Sequence, residues 1–324
     1  MCLKLDMHCH THEGSVDSKI GVEEYIRILI EKGYDGMLIT DHDTYNGYRY
    51  WKEHLKGKKY KDFVVLKGIE YDTNNAGHML VVMPENVKLR ILEMRGMPLP
   101  MLLFVVHAFG GIVGPAHPFG EKYLSFTNTR YFRKNRNIVD KFDFIETFNS
   151  CENAERNIQA RQLANIYGKP GFGGSDSHKT DCIGTAYTRL PETVTKESEL
   201  ISLVKANAPI TYGGSIYNKT TKDKIGKVND VLLYSFWVYN KVLGLSQVMR
   251  RRGQSRYLNL SKEKKEYFFK SGGPVLPELE SNIKKAEVLL QLFLMNSFLH
   301  FGQVMAIFPF PLGIRIFCPQ LGQV

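Results

Sequence analysis

Cysteine is scarce in this chain, and its placement excludes two common kinds of stabilisation. The sequence has five cysteines in 324 residues, an odd number, and none are spaced as Cys-x-x-Cys. This pattern argues against a disulfide framework and against a thiolate zinc cluster. A reducing compartment therefore fits best. The five are Cys2, Cys9, Cys151, Cys182 and Cys318.

Two further absences narrow the class of protein. The amino terminus has no basic stretch followed by an apolar run and a small-residue cleavage site, so we expect no secretory signal and a cytoplasmic location. The sequence also has no Gly-x-Ser-x-Gly motif, which would indicate an activated serine nucleophile. Any hydrolytic chemistry is therefore expected to use other groups.

Positive charge is concentrated in one segment rather than spread over the chain. The formal net charge is +10, and residues 214–275 contain thirteen Lys or Arg against four Asp or Glu, which gives +9. The remainder is close to neutral. We therefore predict a catalytic domain over residues 1–215 and a basic, mostly helical carboxyl-terminal extension over residues 216–324.

The role of the extension stays open among three alternatives. It is expected to bind an anionic membrane surface, to hold RNA phosphates, or to pack as a helix on the domain. Residues 288–314 contain no Lys, Arg, Asp or Glu. A stretch of roughly 20 apolar residues can span a membrane, but five polar side chains interrupt this one. No protein partner is inferred.

Residues 3–213 alternate short apolar runs with amphipathic stretches. "CLKLDMH", "GMLITDHD", "DFVVLKGIE" and "GHMLVVM" are typical of strands. "GVEEYIRILIEKGYDG" predicts a helix whose Ile26, Leu29 and Ile30 share a face and whose Gly33 suits a carboxyl-terminal cap. Such alternation predicts a parallel sheet, and about seven strands in this length favour a barrel.

Ionisable side chains occur where these predicted strands end. The carboxyl ends of the strands of a parallel barrel meet on one face, so residues distant in sequence are expected to meet there. His8 and His10, two apart on a strand, point to the same side. Imidazole and carboxylate without thiolate suit Zn²⁺, Mn²⁺ or Fe²⁺. The residues are His8, His10, Asp41, His42, Asp43, Glu70, His117, Asp176 and His178.

Five motifs in order resemble those of the polymerase and histidinol phosphatase (PHP) superfamily. They are "DMHCHT" followed by Asp17, "ITDHDT", "GIEYDT" with His78 eight residues beyond its Glu, "GPAHPFG" and "GGSDSH". The resemblance covers about residues 3–215 and is strongest to small stand-alone phosphoesterases similar to those acting on nucleoside phosphates and short RNA. It implies an α/β fold, a distorted (β/α)7 barrel of the PHP type, with a trinuclear metal site.

The resemblance also implies how two or three divalent ions, Mn²⁺, Zn²⁺ or Fe²⁺, would be held. Glu70 would bridge two of them, and Glu70, Asp176 and His178 would be the catalytic residues. The three implied ligand sets are His8, His10, Glu70 and Asp176; then Glu70, His78 and His117; then Asp17, His42 and His178.

The expected reaction is hydrolysis of phosphate monoesters or diesters by a metal-bound hydroxide, because divalent ions neutralise phosphoryl oxygens and acidify bound water. Substrates would be nucleoside phosphates, short RNA or a small phosphorylated metabolite. Metal-bound water or His178 would protonate the leaving group. Arg49, Arg130 and Arg133 are weaker candidates for binding the phosphate.

Other ionisable residues are given supporting roles. Asp6, Asp41 and Asp43 are expected to orient imidazoles rather than to bind metal. His12 is expected to be a loop residue, and His107, in an apolar helix, a hydrogen-bonded core histidine.

Two rival readings remain. An amidohydrolase-type C–N hydrolase also opens with His-x-His, but that class usually adds a bridging carboxylated lysine. A non-catalytic regulatory module would hold a structural metal, yet structural sites are usually closed around four ligands. One ion per chain would favour this second rival, and two or three would favour an enzyme.

Replacing Arg250, Arg251 and Arg252 with Ala should leave hydrolysis of a mononucleotide nearly unchanged. If the basic segment holds RNA, hydrolysis of a short RNA should weaken, and more at low salt than at high salt because counterions compete for the same charges. Equal rates on both substrates across a salt series would reject the RNA role. Flotation with anionic liposomes then separates membrane attachment from simple packing.

Overall fold

A computed structural model of the chain describes residues 2–120 and 124–218. The basic segment, including the three consecutive arginines, and the apolar stretch at 288–314 lie outside the described residues, except for positions 214–218. The predicted division of the chain at residue 215 therefore stays a prediction. None of the helices within the described ranges has the length and apolar character needed to cross a membrane.

Nine strands form the described sheet structure. The four runs quoted above are confirmed as strands, and the total exceeds the expected number of about seven. The strands are β1 (Cys2–Cys9), β2 (Gly36–Ile39), β3 (Val64–Asp72), β4 (His78–Val82), β5 (Ile112–Pro115), β6 (Ile145–Asn149), β7 (Gly171–Gly174), β8 (Ala186–Pro191) and β9 (Thr211–Gly214).

Within residues 2–120 and 124–218, six α-helices accompany these strands, together with short 3-10 turns and a π-helical turn at Trp51–Leu55. The helices are α1 (Val22–Glu31), α2 (Asn46–Tyr50), α3 (Leu99–Ala108), α4 (Arg130–Lys134), α5 (Ala154–Ile166) and α6 (Glu197–Lys205).

Helix α1 shows how local sequence sets an element and its end. Val22, Tyr25, Ile26 and Leu29 form its buried stripe at helical spacing. The prediction that Ile30 shares this face was wrong, since Ile30 is 44% exposed; it lies beyond the edge of the stripe. The predicted cap is confirmed: Gly33 has φ of +71°, and the N–H of Tyr34 reaches the carbonyl of Leu29 at 2.9 Å.

The sheet is mixed, which corrects the prediction of a wholly parallel one. Strands β1, β2 and β3 are parallel neighbours, whereas β4 runs antiparallel to both β3 and β5. The order of the seven-stranded sheet is β5-β4-β3-β2-β1-β8-β9. Strand β8 pairs antiparallel with β1, and β9 with β8.

The parallel pair β6–β7 links β5, at one end of the seven-stranded sheet, to β1 within it. On one side, the N–H of Asp143 donates to the carbonyl of Val113 in β5 at 3.0 Å. On the other side, the N–H of Asp176, just after β7, donates to the carbonyl of His8 in β1 at 2.9 Å. Strands β1 to β7 thus surround one core in chain order, and the fold is a distorted barrel of seven strands with two antiparallel additions.

Apolar side chains fill the interior of this barrel. Phe144 and Phe172 are fully buried and stack with ring centroids 4.3 Å apart. Gly114 lies so close to the Phe144 backbone that an added Cβ would be 2.3 Å from its carbonyl oxygen. The packing of β5 against the start of β6 therefore depends on the Phe144 ring lying opposite Gly114, which has no side chain.

Phe144→Ala should lower the free energy of unfolding by about 3–5 kcal/mol, since it removes a buried ring and leaves a cavity at this joint. Ile166→Ala is the matched control: Ile166 is 76% exposed, so its loss should change stability by less than about 0.5 kcal/mol. Urea denaturation followed by circular dichroism measures both. Equal midpoints for the two variants would contradict this account of the core.

Candidate metal centre

The predicted ligands meet at one end of the barrel. His8 lies near the end of β1 and His10 directly follows it. Glu70 lies near the end of β3, and Asp176 follows β7. His78 begins β4, and because β4 runs opposite to β3, its first residue pairs with Asp72 at the end of β3. A histidine at the start of a strand thus reaches the same face as residues at the ends of others.

Glu70 lies at the centre of this cluster, with only 1% of its surface exposed. Its Oε1 is 2.9 Å from Nδ1 of His78 and 3.0 Å from Nε2 of His117. Its Oε2 faces three further imidazole nitrogens: His42 Nδ1 at 3.1 Å, His10 Nε2 at 3.2 Å and His8 Nε2 at 3.4 Å.

Two aspartates complete the cluster on either side. Asp176 Oδ1 lies 3.2 Å from Nε2 of His10 and 3.6 Å from Nε2 of His8. Asp17 Oδ2 lies 3.3 Å from Nε2 of both His42 and His178. All nine predicted metal residues are therefore brought together, and each of the three carboxylates faces at least two imidazoles.

Three groups of donor atoms are each compact enough to hold one ion, with all atoms of a group within 4.8 Å of one another. The first group has the same four residues as the first expected set. The other two groups each differ from the expected set by one residue. His42 takes the place of His117 beside Glu70, and His10 takes the place of Asp17 beside His178. The groups are His8, His10, Glu70 and Asp176; His42, Glu70 and His78; and His10, His42 and His178.

Several atoms that face the cluster are buried without a hydrogen bond. An unpaired polar atom in a dry interior is costly unless another partner, such as a metal ion, takes it up. The donor chemistry, imidazole and carboxylate without thiolate, suits divalent transition ions. The residues present thus fit a multinuclear metal site. The unpaired atoms are His8 Nε2, His10 Nε2, Glu70 Oε2 and Asp17 Oδ1.

The electrostatics of the cluster are set by the opposition of burial and charge. Burial alone raises the pKa of Glu70, but the charges of His78, His42 and His8 hold that pKa well below its usual range. Burial likewise opposes protonation of His8, yet nearby carboxylates raise its pKa well above the usual value. His78 is the exception, since burial outweighs Glu70 and lowers its pKa.

Hydrogen bonds at Nδ1 orient the rings of His8 and His10. His10 Nδ1 is 3.1 Å from Oγ of Ser15, which also donates to Asp41 at 3.0 Å. His8 Nδ1 is 2.8 Å from Oε1 of Glu146 in β6. Sequence reasoning missed Glu146. A signal was available, because it is the only acidic residue within β6 and interrupts an apolar run.

The three aspartates expected to orient imidazoles have different partners. Asp41 reaches His10 through the hydroxyl of Ser15, and Asp6 accepts the backbone N–H of His8 at 3.4 Å. Asp6 accepts the N–H of Ser175 at 2.9 Å and the hydroxyl of Tyr25 at 3.3 Å, so it fixes the backbone before Asp176. Asp43 pairs with Arg95 at 3.3 Å, and burial raises its pKa to about 7. The prediction that Asp6 and Asp43 orient imidazole rings stays a prediction.

The prediction for His107 is confirmed in its hydrogen bond and was wrong in its core position. Its side chain is 38% exposed and contacts Asp143 at 2.8 Å, because it lies on the outer side of α3. His12 is exposed in the loop after β1, as predicted.

The three candidate arginines lie on surface elements. Arg49 forms two hydrogen bonds with Glu93, at 2.6 and 2.7 Å. Arg130 and Arg133 are exposed on α4, where Arg133 donates to the carbonyl of Asn128 at 3.3 Å. A role for any of them in phosphate binding stays a prediction.

Family comparison agrees with this geometry. Residues 6–168, just over half of the chain, match the family described as the PHP domain. Residues 154–209 match a family described as PHP-associated. The chain therefore belongs to the PHP family, and its barrel end carries a cluster of histidine, aspartate and glutamate suited to metal ions.

Three solved structures are similar to this chain at low sequence identity. PsfC from Pseudomonas syringae PB-5123 is 13% identical with a TM-score of 0.50, covering 72% of this chain and 99% of PsfC. A protein assigned as a metal-dependent phosphoesterase from Bifidobacterium adolescentis is 16% identical with a TM-score of 0.44, covering 63% and 96%. The lesion-specific endonuclease PfuEndoQ from Pyrococcus furiosus is 18% identical with a TM-score of 0.49, covering 65% and 58%. No curated protein matches the chain by sequence.

The pH dependence of stability should reverse when metal is added. Without metal, His8, His10 and His42 have pKa values raised above 6.5. Their contribution is complete below the unfolded value and is lost as pH rises through the folded values. Stability of the metal-free protein should therefore fall above about pH 6.5. With Mn²⁺ or Zn²⁺ it should rise over the same interval, since binding needs deprotonated ligands.

Thermal unfolding from about pH 5 to 9, with chelator or with metal, measures this reversal. The control is His54→Gln, an exposed histidine outside the cluster, which should leave both curves unchanged. Parallel curves with and without metal would contradict the metal-centre interpretation.

Proposed function

We propose that the protein is a metal-dependent phosphoesterase that hydrolyses phosphate monoesters or diesters, with two or three divalent ions at the barrel end. The observation that carries this proposal is the position of Glu70. One buried carboxylate has both oxygens directed at different sets of imidazole nitrogens, which is the arrangement of a ligand shared between two ions. Paired ions are typical of sites that displace groups at phosphorus.

The predicted ligands differ in exposure: some are buried deep in the barrel, and others lie partly in contact with solvent. His8, His10 and Glu70 are at most 1% exposed, so they serve as fixed anchors. The side chains of Asp17, His42 and His178 are 23–30% exposed. A substrate would therefore approach over these three residues.

Bound divalent ions would supply neutralisation of phosphoryl oxygens and acidification of a water molecule. The side chains of the protein supply the orientation of the groups around the ions. His178 Nδ1 lies 3.0 Å from the carbonyl oxygen of Asp176, and a carbonyl can only accept, so Nδ1 carries the proton. Nε2 is then directed at Asp17, which favours a ligand role for His178 over that of proton donor to the leaving group.

The geometry also weighs against the amidohydrolase-type alternative. That class usually places a carboxylated lysine between its metals, whereas here Glu70 holds the bridging position. Lys67, a buried lysine on the same strand, has its Nζ 3.0 Å from the carbonyl oxygens of Pro84 and Val87. Its amine is thus committed to backbone acceptors rather than to the cluster.

Glu70→Gln and Asp176→Asn should each abolish hydrolysis while leaving the fold intact, because each keeps the shape of the side chain and removes a ligating charge. We expect activity to fall by at least about 100-fold, along with metal content. The assay is a phosphatase screen of Mn²⁺-loaded protein on nucleoside mono- and bisphosphates, histidinol phosphate and short RNA.

Glu197→Gln is the matched control for these variants. Glu197 is equally buried, at 2% exposure, but its carboxylate accepts the backbone N–H of Lys67 at 2.6 Å. Its replacement should leave metal content and turnover unchanged. Wild-type turnover by metal-replete Glu70→Gln protein would rule out the bridge.

A further inference from the structure

Glu146 contacts two of the metal-site histidines without being one of the predicted ligands. It lies in β6 and is 1% exposed. Its Oε1 is 2.8 Å from Nδ1 of His8. Its Oε2 accepts the backbone N–H of His117 at 2.5 Å and an Nδ2 hydrogen of Asn149 at 3.2 Å. One buried carboxylate therefore joins strands β1 and β6 to the loop after β5.

The two groups that donate to Oε2 of Glu146 cannot act as acceptors instead. A backbone N–H only donates. Asn149 is held in one orientation because its Oδ1 accepts the N–H of Cys151 at 2.9 Å, which turns Nδ2 toward Glu146 and toward Oδ2 of Asp176 at 3.3 Å. Asn157 on α5 fixes the Asn149 backbone with two hydrogen bonds, at 2.8 and 3.0 Å. Oε2 must remain an acceptor.

We propose that Glu146 is a positioning residue that fixes the tautomer of His8, and so decides whether His8 can bind metal. A carboxylate accepts at both oxygens, so Nδ1 of His8 carries the proton and Nε2 keeps its lone pair. Nε2 faces Oε2 of Glu70 at 3.4 Å and Oδ1 of Asp176 at 3.6 Å. The inference rests on the metal site of the proposed function, and not on the identity of its substrate.

The same carboxylate anchors His117 through the backbone. His117 has φ of +27°, a left-handed conformation that a residue with a side chain rarely adopts. The bond from its N–H to Glu146 holds this conformation, from which Nε2 reaches Glu70 at 3.0 Å. Glu146 thereby aligns one histidine through its ring and another through its main chain.

An amide at position 146 distinguishes this role from packing. In Glu146→Gln, the single oxygen is required by His117 and Asn149, so the NH₂ group faces Nδ1 of His8. Nδ1 must then accept, and the proton moves to Nε2, the atom that would bind metal. Glu146→Ala imposes no tautomer, although it removes more volume.

The first test reads the tautomer of His8 directly. Nitrogen-15 NMR of histidine-labelled protein, with the His8 signal identified by its absence from His8→Gln, should show the proton on Nδ1. Spectra are recorded with Zn²⁺ bound and, without metal, in solution alkaline enough for His8 to be neutral. A proton on Nε2 of His8 in the wild-type protein would overturn the proposal, whether or not the Glu146 variants fold.

The second test is Zn²⁺ affinity by equilibrium dialysis, with folding checked by circular dichroism. Glu146→Gln should show the proton on Nε2 and at least a 10-fold loss of affinity, within the roughly 10- to 100-fold range of such contacts. Glu146→Ala also removes the acceptor for the N–H of His117, so its loss of affinity measures both roles of Glu146 together. Wild-type affinity in the glutamine variant, or a proton that stays on Nδ1 of His8 in that variant, would contradict tautomer control. Neither readout needs turnover, so failure of the phosphoesterase assignment would be seen separately.

Discussion

The attraction between buried carboxylates and the imidazoles around them is the interaction on which the rest of this structure depends. Glu70 and Asp176 are at most 5% exposed, and a carboxylate so far from water is unfavourable unless opposite charge compensates it. The compensation comes from several different strand ends. Any element that fails to deliver its histidine or carboxylate leaves the others with an uncompensated charge, so the site also constrains the fold.

This coupling explains why polar contacts extend so far behind the ligands. The buried Asp6 fixes the backbone before Asp176, and Asp41 holds the segment after β1 through Thr11 at 2.6 Å. Polar groups in a low-dielectric interior are stabilising only when each has its partner. For Asp6 and Asp41 this requirement is met by hydroxyls and backbone N–H groups.

Much of the fold and of the site could be predicted from sequence because both depend on local patterns. Apolar runs mark the strands, and ionisable residues follow them. The position of His8, His10 and Asp176 on a shared face could therefore be predicted from the sequence. The direction of β4 could not be predicted, because a short apolar run has the same pattern in either direction. Glu146 was missed for a related reason: its role depends on Asn149 and the His117 backbone, which are contacts between segments.

The hairpin of β3 and β4 has a consequence for how this chain can change in length. Residues 73–77 make the turn, in which both N–H and Oγ of Thr73 reach the carbonyl of Gly77, at 3.1 and 2.7 Å. Glu70 and His78 lie on the same face only in this register, and a shift of one residue would turn His78 to the other side. An insertion or deletion within these five positions would therefore move His78 away from Glu70, so the length of the turn fixes the spacing between these two residues.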